Sequence, residues 1–203
     1  MRNQKESGFT LAEVLITLGV IGVVAAMTLP MLIQNYRKSI VENKLKTNYS
    51  IFYNALRMAE SKYGETDGWQ TCSEEVSFEC NKNFFDNYLA PEIKLIRVCN
   101  DENNDACWKE PVSLGGIKGY LGKTSGVHAV SAIMANGTSL YMWAGAQNGK
   151  NPHWQIWMDL DGPHKGSNTI GADIFGMQIN FKQSNTGKKG LFFPPSIFEK
   201  HNH

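Results

Sequence analysis

One carboxylate, Glu13, stands alone in an otherwise uncharged stretch from Phe9 to Ile33. A charge among apolar residues is costly unless it is paired or lies near an interface, so its default reading is functional. Four cysteines form two pairs with equal internal spacing, Cys72 with Cys80 and Cys99 with Cys107. Zinc ligands usually pair at shorter spacing, so metal fits poorly. Outside the cytoplasm the natural reading is two local disulfides, Cys72–Cys80 and Cys99–Cys107; in a reducing compartment it is four thiols. A third group is Asp159 and Asp161 before Gly162, leading on to Asp173. Alternating aspartates before glycine are the acidic pattern of a calcium loop, with these three as its ligands. An EF-hand loop needs an acidic residue at its twelfth position, and Ile170 stands there. The plainer reading is an Asx-rich loop between two strands.

Other chemistry finds little to rest on. The histidines make no H-E-x-x-H pair and leave only the weak terminal His201-Asn202-His203; there is no G-x-S-x-G and no P-loop. The expectation is therefore no enzyme and no resident cofactor, calcium being the one ligand to test. A formal net charge of +1 with no long basic block gives nucleic acid no electrostatic footprint. Trp143, Trp154 and Trp157 read as sheet core rather than as a binding platform.

The element that must position Glu13 is a helix. Residues Phe9–Ile33 would span roughly 37 Å, against about 30 Å of bilayer core. Arg2 and Lys5 precede the run and favour a cytoplasmic N-terminus, so the rest of the chain is expected outside the membrane. A secretory signal peptide cut near Val24-Ala25-Ala26 is the rival. The run continues past that site through Leu29, Met31, Leu32 and Ile33, and Glu13 sits inside it, both of which count against that reading. Pro30 has no N–H for the carbonyl of Ala26, so a bend is expected there. Gly22 and Ala26 form a small-x-x-x-small pair, which fits close helix packing and ordinary membrane composition equally well.

These residues carry a resemblance. Gly8-Phe9-Thr10-Leu11-Ala12-Glu13, followed by a long apolar run and then Pro30, resembles the cleavage and methylation motif of type IV prepilins and type II secretion pseudopilins. It covers about the first 35 residues well and the rest in architecture only. The resemblance implies that a prepilin peptidase cuts after Gly8, that Phe9 becomes the N-methylated N-terminus, and that Glu13 pairs with the new amine of a neighbouring subunit. Pro30 also matches the pattern. Some pseudopilins bind calcium between late strands, which is where Asp159, Asp161 and Asp173 stand. The partners implied are the peptidase, other pilin or pseudopilin subunits, the inner-membrane assembly machinery and the bilayer. The place implied is the inner membrane, spanned once, with the filament beyond it.

After Pro30 the pattern stays helical: Tyr36, Ile40, Leu45, Tyr49, Phe52, Leu56, Ala59 and Tyr63 make one apolar stripe, and Gly64 is a natural cap. The spacing predicts one helix from about Phe9 to Tyr63. Residues 65–83 read as a loop, Phe84–Leu89 as a short helix before Pro91, and Ile93–Val98 as a strand. Val127–Met134, Thr138–Trp143, His153–Leu160 and Asp173–Phe181 read as clearer strands, the first two joined by Asn136-Gly137, a strong hairpin signal. The fold class expected is α+β, a long N-terminal helix packed on an antiparallel sheet of about four strands, the architecture the pilin resemblance also implies. The organisation expected is a leader over 1–8, a membrane and filament-core helix over 9–33, and an extracytoplasmic domain over 34–203 that includes the second half of the helix. A structural filament subunit is the first reading of function. A membrane-tethered binding or adhesion domain and an exported soluble protein are the alternatives.

Overall fold

The structure is a computed structural model and describes residues 8–72, 77–99, 105–112, 121, 128–147, 150–181 and 189–193. Residues 1–7 of the expected leader, Val127 and the terminal His201-Asn202-His203 lie outside the described residues. The chain divides into two compact units, Met1–Asn43 and Lys44–His203.

Helix α1 runs from Leu11 to Tyr63, with Pro30 inside it. It ends where Gly64 adopts φ +81° and donates its N–H to the Glu60 carbonyl at 2.9 Å, the left-handed stop that glycine supplies without a Cβ clash. In the first unit the apolar side chains of α1 are exposed, and the helix is long and apolar enough to cross a membrane.

In the second unit α1 buries Asn48, Phe52, Ala55, Leu56 and Ala59, three- and four-residue steps that keep one stripe facing inward. That stripe packs with a six-stranded antiparallel sheet whose strands lie side by side in chain order. The strands are β1 Leu95–Cys99, β2 Val130–Met134, β3 Ser139–Gln147, β4 Lys150–Asp159, β5 Ile174–Asn180 and β6 Gly190–Phe192. The class is α+β, as expected, and the sheet is wider than the four or so strands anticipated. β6 has only three residues, too few for periodicity to register, and exists by pairing Leu191 with Ile179 of β5.

The β2–β3 hairpin turns at Asn136-Gly137, with Gly137 at φ +86°. The same turn is tied to α1: Asn136 donates its side-chain amide to Asn48 Oδ1 at 2.8 Å, and Asn48 donates to Thr138 Oγ1 at 3.1 Å. Asn48 is fully buried, so these bonds replace the water it loses.

Register separates the two sheet faces. Leu140, Met142, Trp154, Ile156, Met158, Met177 and Ile179 share one face and are buried. Tyr141, Trp143, Trp157 and Ile174 share the other, where Trp108, Leu121 and Ala129 complete a second cluster. Trp154 is thus fully buried core, stacked on Phe84 at 4.2 Å, whereas Trp143 and Trp157 pack half-buried on the opposite side.

The stretch expected as a loop before Phe84 holds a helix instead. α2 runs from Phe78 to Phe84 and continues as a π turn over Phe85–Leu89. Ser77 caps α2 by accepting the Cys80 N–H at 3.2 Å. Pro91 stands in the first turn of the following 3-10 segment, Ala90–Glu92, where a missing N–H is harmless.

Candidate functional site

Gly8, Phe9 and Thr10 precede the helix in non-helical backbone. Thr10 is the N-cap: its carbonyl accepts the Val14 N–H at 3.2 Å. Glu13 lies three residues on, in the first turn of α1. Its Oε2 accepts the Thr10 N–H at 2.8 Å and the Thr10 hydroxyl at 2.9 Å, and Thr10 Oγ1 accepts the Glu13 N–H at 3.3 Å. The pair is a closed capping box, for which Thr-x-x-Glu is the sequence signature. Further along the run, Thr17 and Thr28 turn their hydroxyls back onto the carbonyls of Glu13 and Val24, at 2.9 and 3.0 Å. The polar groups of an apolar helix are thereby satisfied locally.

Among the described residues an added Cβ at Gly8 would meet nothing within 4 Å. The same holds for Gly19 and Gly22. Phe9 and Leu11 are 90% and 80% exposed.

In the second unit both disulfides close as local loops, Cys72–Cys80 and Cys99–Cys107, with Cα atoms 5.8 and 6.1 Å apart. The second is held to the sheet, since the Ser139 hydroxyl donates to the Cys107 carbonyl.

The three aspartates read as calcium ligands lie near one another and make different hydrogen bonds. Asp161 pairs with Lys44 of α1 at 2.7 Å. Asp173 accepts three backbone N–H groups, from Ser167, Asn168 and Thr169 at 2.6 to 2.9 Å, and the Ser167 hydroxyl. Asp159 accepts the N–H groups of Asp161 and Gly162 through Oδ1 and leaves Oδ2 buried without a partner. Among the described residues no group of three or more His, Cys, Asp or Glu is placed to hold a metal. These hydrogen bonds are those of an Asx-rich loop folded on its own amides.

Asp159 carries a consequence for stability. Burial pushes its carboxyl up from 3.8 to about 7; the Asp173 and Asp161 charges push the same way, against two backbone hydrogen bonds that lower it. The folded state therefore holds a proton that the unfolded state releases above about pH 4, and stability falls as pH rises toward 7. Asp159→Asn keeps an acceptor for both amides and puts a donor where the unpartnered oxygen lies. We expect it to unfold at higher temperature than wild type at pH 8 and to lose the slope between pH 4 and 7, with about 4 kcal/mol as the upper bound of the gain. Thermal unfolding of the full chain in detergent, followed by near-ultraviolet circular dichroism, measures it. A wild-type curve flat across that window would contradict the assignment.

Comparison with known proteins bears on the first unit directly. Residues 3–29 match the prokaryotic N-terminal methylation motif. The N-terminal segment is thus of the type IV prepilin class, with Gly8, Phe9 and Glu13 inside the matched stretch. Residues 31–114 match a family of unknown function, DUF6613. No curated protein and no solved structure matches the chain.

Proposed function

We propose that this chain is a structural subunit, cut after Gly8 by a prepilin peptidase, N-methylated at Phe9, and assembled through its apolar helix into a type IV pilus-like or type II secretion pseudopilus filament. The observation that carries this is the methylation motif over residues 3–29, standing on a helix whose apolar side chains are exposed among the described residues. In a bilayer that surface is satisfied by lipid, and in a filament by neighbouring helices. Gly19 and Gly22, where an added Cβ would meet nothing among the described residues, let backbones approach in such a stack. Glu13 lies one turn inside the mature end, where it can meet the ammonium at the start of an adjacent helix. Each charge then satisfies the other in apolar surroundings. Repetition of that contact is head-to-tail and does not close, so it propagates a filament.

On this reading the chain spans the inner membrane once with its N-terminus cytoplasmic. The second unit lies outside, where two disulfides persist. Its partners are the peptidase, other pilin-type subunits, the membrane assembly machinery and the bilayer.

Mass spectrometry of the N-terminus of protein taken from membranes tests the reading. The expected chain begins at Phe9 and carries an added methyl group. A chain beginning at Met27 would mean release by a signal peptidase and would overturn the proposal.

A further inference from the structure

The two donors that Thr10 offers converge on one oxygen of Glu13, Oε2, at 2.8 and 2.9 Å. Oε1 has no hydrogen-bond partner among the described residues. We propose that Thr10 is the positioning residue for Glu13: it satisfies one carboxylate oxygen inside the subunit and turns the other toward the incoming ammonium. The inference rests on the pairing role given to Glu13 above.

The physical need is plain. A subunit waiting in the bilayer has no neighbour's amine, and its carboxylate would stand unsolvated. A glutamate side chain also has many rotamers, and one that is already held loses less freedom when it pairs. The capping box meets both needs with one residue, because the hydroxyl donates to Oε2 while the same oxygen accepts the Glu13 N–H. Cleavage after Gly8 leaves the box intact. The Thr10 N–H belongs to the Phe9–Thr10 peptide, which survives processing.

The test uses the full chain, processed, as Thr10→Val, Thr10→Ser and Glu13→Gln. Amide hydrogen exchange over residues 10–14 in lipid nanodiscs reports the cap without any assembly. The share of subunit in sheared filaments, relative to membranes, reports positioning. Thr10→Val preserves size but removes the hydroxyl. We expect its exchange to quicken about fivefold, the factor that loss of a threonine cap corresponds to, and its filament share to fall by a similar factor. Thr10→Ser, which restores the hydroxyl, should match wild type in both. Wild-type exchange in Thr10→Val would show that no cap exists in the subunit. Quick exchange with a wild-type filament share would show that the cap positions nothing. A defect in Thr10→Ser as large as in Thr10→Val would show that the hydroxyl is not the group; each of these overturns the proposal. Glu13→Gln separates it from the pairing reading, since glutamine can still close the box but carries no charge. Its exchange should stay at the wild-type rate while its filament share collapses. Normal incorporation of Glu13→Gln would remove the pairing role itself and reduce the box to an N-terminal helix cap.

Discussion

Glu13→Leu protein is expected to insert normally and to fold its Lys44–His203 unit, yet to be nearly absent from sheared filaments. Among the described residues the hydrogen bonds of this carboxylate are to Thr10, in its own helix turn. Its loss therefore costs the folded unit nothing, and leucine suits a bilayer better than glutamate does. In a filament the cost falls on the partner. The neighbour's N-terminal ammonium is left unpaired in an apolar core, a penalty of about 3–5 kcal/mol at each interface. Because the contact repeats with every subunit, the penalty repeats along the whole stack. The ratio of subunit in sheared filaments to subunit in membranes measures it, with circular dichroism of the purified chain as the check on folding. A tethered domain needs only an apolar anchor, so a wild-type ratio for Glu13→Leu would favour that alternative and refute the pairing role.

Gly8→Val should abolish processing while leaving the folded chain unchanged. The two halves of that expectation have separate grounds. Among the described residues nothing lies within 4 Å of a Cβ at Gly8, and its φ is not positive, so valine meets no clash there. The demand for glycine then comes from the peptidase, which must seat the scissile bond between Gly8 and Phe9. A β-branched residue crowds that bond and stiffens its backbone. The expected result is accumulation in membranes of a precursor that still begins at Met1, with thermal unfolding like that of wild type. Efficient release of a chain beginning at Phe9 from Gly8→Val would show that the cut does not depend on this glycine.

The features legible in the sequence are those built from neighbours. Helix α1 follows from the apolar run Phe9–Ile33 and, beyond Pro30, from an apolar stripe at three- to five-residue steps that continues to Tyr63, and its end from Gly64. The hairpin follows from Asn136-Gly137 between two β-rich runs. The disulfide pairing follows from equal short spacing, because each bridge closes a loop of sequence separation 8 with little entropy to overcome. Thr10-x-x-Glu13 is equally local. A charge in an apolar run fits assembly as well as capping, so the motif alone does not separate the two.

What sequence by itself determined, then, is the apparatus of the first unit: the offsets of Gly8, Phe9 and Glu13 ahead of a helix able to span a bilayer, all of it encoded within a few turns of chain. The tertiary structure alone decided the second unit's finer architecture. α2 was unreadable because its anchor, Asn81, is a polar residue buried by bonds to the His128 carbonyl and the Ala144 N–H, partners far along the chain. β6 becomes a strand only beside β5. Asp159, Asp161 and Asp173 look alike in sequence, yet one is buried with a carboxyl raised to about 7, one pairs with Lys44, and one sits among backbone amides. The reason is the same in each case. Desolvation and pairing between distant segments have no value until the chain closes on itself, so no local pattern records them.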